Sequence, residues 1–311
     1  VITLGAVYIL AGLIFAAVAG LSAGDRANPR RIRNAGFWGL LAVSFLMGDR
    51  LGDFGNGLLV LALVGIGGIW GLGLGSPETT TPDQRRESAA GRGNALFGPA
   101  LIIPATAVIG SFLLKPYAQP GQATLVALAL GIVVALAVAM LWLRPPLTAP
   151  LQEARRLFDS VGWATILPQM LAALGAIFAV SGVGDAVGRL ITAAIPLDNR
   201  LSAVAAYTIG MALFTMVMGN AFAAFPVMTA AIGLSLVVHK FGGDPAVMGA
   251  IGMLSGFCGT LMTPMAANFN IVPAALLELK DRNAVVKAQA PTALWLLAAN
   301  TVLMYALVFR K

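Results

Sequence analysis

Long uncharged stretches alternate with short charged ones along almost the whole chain. Runs able to cross a bilayer cover 2–20, 54–75, 94–114, 122–143, 161–184 and 288–309, since a crossing needs about 20 residues. A shorter run, 36–48, extends into its flanks. Two runs do not fit that length. Residues 201–238 are too long for one helix and predict a hairpin, with Gly219-Asn220-Ala221 as its turn. The hairpin makes either two full crossings or a re-entrant pair that turns within the membrane. Residues 245–279 predict a helix broken near Pro264 and Pro273, because proline removes a backbone donor and disfavours helix before it.

The polar positions set the expected orientation. Arg26, Arg30, Arg31, Arg33, Arg85, Arg86, Arg92, Arg144, Arg155, Arg156, Lys280, Arg282 and Lys287 share one side, and the other seven Lys and Arg fall opposite. The positive-inside rule puts the larger group in the cytoplasm and the N-terminus outside. Trp38, Trp70, Trp142, Trp163 and Trp295 fall toward the inner ends, and Tyr8, Tyr117, Tyr207 and Tyr305 toward the outer ends, as an aromatic belt. Ala17-Val18-Ala19 resembles a cleavage site, but the first run lacks a basic leader, so it is expected to be a retained span. Gly67, Gly71 and Gly75 form a small-residue stripe expected to pack helices. Residues 76–93 read as a mobile cytoplasmic loop. The expected organisation is a five-span region, 1–156, and a transport region, 157–311.

Composition narrows the class. The 311 residues are 59% hydrophobic and only 11% charged, against about 25% charged in soluble domains. The fold class is therefore an all-α polytopic membrane protein, with about eight spans plus the hairpin and the broken helix. The net charge of +7 sits in short loops without a basic aromatic patch, so no nucleic-acid partner is expected. Cys258 excludes internal disulfides and reads as a packing residue, and His239 as a solvated one. No cofactor is indicated.

The candidate chemistry is in the interruptions. Lipid cannot satisfy the amides and hydroxyls of Asn220, Thr260, Thr263, Asn268 and Asn270, so these groups are expected to line a protected cavity at the membrane midplane. Helix N-termini there suit a carboxylate, and unwound carbonyls suit Na⁺. Gln169, beside Pro168, is either a further candidate or a bond between helices. Gly182-Val183-Gly184-Asp185 matches a Gly-x-Gly-Asp protease pattern, but no second intramembrane carboxylate accompanies it, so no enzyme is expected. The lack of an acid at the centre of the break favours Na⁺ or uncoupled movement over a proton relay.

The order of hairpin, broken helix and final span is similar to the ion transporter superfamily. Residues 162–178 (GWATILPQMLAALGAIF), 219–233 (GNAFAAFPVMTAAIG) and 259–273 (GTLMTPMAANFNIVP) resemble the larger subunit of a bacterial two-subunit 5-oxoproline permease family. That resemblance implies a secondary transporter of the inner membrane, a small carboxylate substrate and a second, smaller membrane subunit. It implies substrate contacts from Asn220, Asn268 and Asn270, with Thr260 and Thr263 assisting, and Na⁺ at Thr260 and Asn220. The superfamily's Ser-Asn-Thr tip is Gly219-Asn220-Ala221 here, and the N-terminal half has no matching hairpin and break. The alternative is a structural subunit that does not itself transport.

Overall fold

A computed structural model describes residues 3–194 and 198–310. The chain is all-α, with no strand among the described residues, and falls into two compact units, Val1–Ser160 and Val161–Lys311. Eight helical segments among the described residues are long and apolar enough to cross a membrane. The protein is a multi-pass membrane protein.

The first unit begins with α1 (Gly5–Gly24) and α2 (Arg31–Val64), which continues as a π-helical turn, Gly65–Trp70. α2 is not one rod. Gly52 has φ 62 and ψ −178, a conformation open to glycine, and the chain reverses there. Asn56 Nδ2 donates to Gly48 O at 2.8 Å and Gly52 O at 3.0 Å, covering carbonyls that the end of the first leg leaves orphaned. At the other end Asn34 and Gly73 exchange two bonds, 2.6 and 2.9 Å. Each leg has roughly the 20 residues of a crossing.

Past Trp70 the chain runs as a strap against the base of this hairpin. The expected helix-packing stripe is corrected here: the helix ends at Trp70, and Gly71 and Gly75 belong to the strap. A Cβ on Gly75 would stand 2.7 Å from Asp159 Oδ2, so only glycine brings the backbone this close. Arg33 Nη1 donates to Trp70 O at 2.8 Å and Arg30 Nη1 to Leu72 O at 3.1 Å, cations on the carbonyl end of a helix.

The supposed loop 76–93 is also corrected. Residues Pro82–Arg92 form a helix, α3. Thr81 caps it with a complete capping box to Gln84, Pro82 opens its first turn, and Asp83 complements the N-terminal dipole. α4 (Phe97–Leu113) and α5 (Ala123–Leu143) then pair through Gly110 on Ala127 and Gly131 on Ile103.

α6 (Ala149–Val161) closes the first unit with a buried ionic cluster. Asp159 accepts from Trp38 Nε1 (3.1 Å), Asn34 Nδ2 (3.0 Å) and Gly75 N (3.2 Å). Arg155 pairs with Asp25 and lies 3.8 Å from Asp159. Trp38 is fully buried, stacked on Phe15, met edge to face by Phe37 and at a tilt by Phe158, so it is not a belt residue. Neither is Tyr207, which is also fully buried and bonds Thr229 Oγ1 at 3.1 Å.

In the second unit the expected span 161–184 is interrupted. Gly162 (φ 58) opens a 3-10 turn, α7 is Leu167–Val180, Gly182 (φ 73) breaks it, and α8 is Val183–Ala194. Gly175 and Gly184 bring these helices onto Ala223 and Val227. α9 (Arg200–Met218) and α10 (Ala221–Met228), prolonged by the π-helical Thr229–Lys240, form the hairpin. Each leg is about 20 residues, the length of a crossing. α11 (Pro245–Leu261) starts at the Asp244 cap. α13 (Ala284–Leu307) returns beside it, with Asn300 Nδ2 3.6 Å from Cys258 Sγ and the Thr208 and Thr301 hydroxyls 2.8 Å apart. Tyr207, Met211, Met228, Ile232, Met248 and Met304 fill the core between these helices.

Candidate functional site

The break after α11 is real and short. Helix stops at Leu261, residues 262–266 form turns, a π-helical segment covers Ala267–Ile271, and α12 is Val272–Leu276. A stop of this kind leaves carbonyls without intrahelical partners. Asn270 collects two of them. Its Nδ2 donates to Thr260 O at 2.8 Å and Thr263 O at 2.6 Å, and the residue is 1% exposed. Its Oδ1 is buried without a partner among the described residues. Thr263 Oγ1 donates to Met216 O at 2.9 Å and accepts from Met265 N at 3.2 Å, pinning the break to α9.

The hairpin tip meets this break. Gly219 ends α9 with φ 71, and a Cβ there would stand 2.7 Å from Met265 O. Both constraints select glycine. Gly219→Ala is expected to lower stability by about 1–3 kcal/mol, measured by thermal unfolding of the purified protein. Unchanged unfolding would mean the tip and the break are not in close contact.

Asn220 follows in an extended conformation and caps α10, its Oδ1 accepting from Phe222 N at 2.8 Å. Its Nδ2 has no partner among the described residues. Beside it lies a cleft of about 50 Å³, room for a few water molecules. Asn220, Ala221 and Phe222 from the hairpin and Thr260, Ala267 and Phe269 from the broken helix line it. Two helix N-termini, those of α10 and of the segment starting at Ala267, therefore bound one cavity. The C-terminal end of α9 at Gly219 and the last turn of α11 at Thr260 border it as well, so amide and carbonyl ends of helices both reach the cleft. The arrangement can take an anion on amides rather than on a basic side chain, and a cation on carbonyl and side-chain oxygens.

The predicted residues fall into distinct groups. Asn220 and Thr260 line the cleft, with Thr260 Oγ1 also donating to Phe257 O at 2.6 Å. Asn270 and Thr263 sit behind it and hold the broken backbone. Gln169 is exposed on α7 and does not line the cleft. The side chains of Asn268 and Asp185 lie outside the described residues. Sequence reasoning missed the apolar lining, Leu171, Phe222, Phe257 and Phe269, because phenylalanine in a membrane helix looks like any other lipid-compatible residue. It also missed the backbone amides, which carry no sequence signal beyond the break itself.

No curated protein and no solved structure matches the chain. The family model described as "Protein of unknown function (DUF979)" matches residues 5–309, nearly the whole length, and the chain belongs to that family.

Proposed function

We propose that the chain is the larger subunit of a secondary transporter that moves a small carboxylate, 5-oxoproline, across the bacterial inner membrane by alternating access. The observation that carries this reading is the convergence of two helix N-termini and the free Asn220 amide on one cavity. A carboxylate is stabilised by the N–H groups. A lactam offers one donor and one acceptor, the complement of an amide side chain or a threonine hydroxyl. Thr260 and Asn220 also offer oxygens to a coupling Na⁺. A second, smaller membrane subunit completes the carrier, and the N-terminus lies outside.

Asn220→Ser separates the two jobs of Asn220. Serine keeps the helix cap but replaces the amide donor by a hydroxyl on a shorter side chain, which does not extend past the cap as Nδ2 does. The loss of a hydrogen bond to a charged group, about 1.5–3 kcal/mol, predicts an uptake affinity lower by roughly 10- to 100-fold. The measurement is uptake of labelled 5-oxoproline, with and without a Na⁺ gradient. It uses membrane vesicles from cells carrying the variant at the native locus. Normal membrane abundance with weakened uptake supports transport through this site. Unchanged uptake would favour a structural subunit.

A further inference from the structure

The cleft, about 50 Å³, has room for a few water molecules. Sites that bury a small organic ligand start at about 300 Å³. A carboxylate carrying a ring therefore enters only if one wall withdraws.

Three of the walls are tied together. Thr263 Oγ1 donates to Met216 O, and Gly219 lies against Met265 O, so the hairpin tip and the break move as one. α11 is set close on α9, where a Cβ on Gly259 would stand 2.9 Å from Thr215 Cβ. The remaining wall is α7, which contributes Leu171. Among the described residues, no hydrogen bond or ion pair joins α7 to another element. It meets α10 where a Cβ on Gly175 would stand 2.8 Å from Ala223 Cα. Ile177 and Val180 are 61% and 91% exposed, so its second half is held by little.

Both ends of α7 can give without detaching. The 3-10 turn Gly162–Ile166 precedes it, with Ala164 and Ile166 buried, and 3-10 winding of this kind is a common hinge. Gly182 follows it with φ 73, and nothing lies within 4 Å of where its Cβ would stand. Glycine there can rotate without steric cost. Beyond that hinge α8 is anchored, with Gly184 on Val227 O and Gly188 on Ala231 O.

We propose that α7 is a gate over the cleft, turning about Gly182 and the 3-10 turn while the hairpin tip and the break keep their places. The gate names the moving part of the carrier reading above and rests on that reading only for what passes through.

The test uses the full chain in native membranes with Cys258→Ala and Ala267→Cys. Ala267 lines the cleft and is 3% exposed, so the new thiol meets a permeant maleimide only when the cleft opens. Gly182→Ala is strained where φ is positive, in the closed gate, and is expected to raise the alkylation rate roughly 5- to 30-fold. Gly175→Ala cannot keep the contact with Ala223 and is expected to raise it at least as much. Cys258 in the otherwise native chain, also 3% exposed, is expected to react no faster with either substitution. An unchanged rate in an accumulating variant overturns the gate. So does equal acceleration at Cys258, which means general loosening.

A second measurement fixes the gate shut. Leu171→Cys and Ala267→Cys, again with Cys258→Ala, are bridged by a short bis-methanethiosulfonate. Uptake of labelled 5-oxoproline into vesicles is expected to fall roughly tenfold or more on bridging, further than when the same reagent meets either single-thiol chain, and to return on reduction. Uptake that falls no further on bridging than on single modification overturns the gate, and this arm decides alone where neither glycine variant accumulates. Accelerated alkylation in the glycine variants, with no 5-oxoproline uptake even before bridging, keeps the gate and removes 5-oxoproline as the cargo.

Discussion

Asn270→Leu is expected to cost about 2–4 kcal/mol of stability and to abolish uptake. The side chain is nearly isosteric, so the loss is not one of volume. It is the loss of two donors from a site where Thr260 O has the Asn270 amide and Thr263 O has, besides that amide at 2.6 Å, only a long bond of 3.4 Å from Ala266 N. A buried polar group left unpaired costs about 1–3 kcal/mol. Asn270→Asp is expected to be worse still, since it sets a carboxylate against the two carbonyls. Thermal unfolding of the purified protein and vesicle uptake check both variants. If Asn270→Leu unfolds like the parent, the amide does not hold the break, and the cleft beside it has some other support.

The second large effect lies in the first unit. Arg155→Met leaves Asp25 and Asp159 buried without their cation, and breaking a buried pair this way costs about 3–5 kcal/mol. Replacing all three charges together, as Asp25→Asn, Arg155→Met and Asp159→Asn, is expected to recover much of that loss. In that case the penalty comes from the uncompensated charges rather than from the shape of the arginine. Equal instability of the single and triple variants would refute this account. The cluster also fixes a pH dependence. The Ser76 N–H holds the Asp25 carboxyl below its ordinary range, against the desolvation that pushes it up, and the Arg155 guanidinium and Ala27 N–H add to the lowering. Asp25 thus contributes stability that is fully present above the ordinary carboxylate pKa and lost as pH falls through its lowered value. The parent is expected to lose this contribution only in acid, and Asp25→Asn not to show that step.

The spans and the break were legible because lipid imposes a strong signal. Uncharged length marks a crossing, and a run of Asn, Thr and Pro such as 260–273 cannot continue as a lipid-facing helix. The hairpin was legible from length and from Gly219-Asn220, where glycine ends one helix and asparagine starts the next. The α3 helix was marked as well, by Thr81-Pro82-Asp83-Gln84, but its polarity suggested a loop. Local capping outweighed composition there. The role of Trp38 was hidden, since tryptophan near a span end fits an aromatic belt equally well, and only the fold brings Asp159 to its indole N–H across 121 positions. The same holds for the strap glycines, whose spacing mimics a helix-packing motif. Asn270 looked like a ligand-binding residue, and its sequence context could not distinguish that from a clamp on its own backbone.

Because the chain reverses at Gly52, the charges of residues 31–70 are sorted to the two ends of one helical pair, with Asp49, Arg50 and Asp53 at the bend and Arg31 and Arg33 at the base. The stretches between them, 34–48 and 54–70, carry no charge. The pair can therefore lie across a hydrocarbon layer without placing an ionised group in its interior, whichever end faces the cytoplasm.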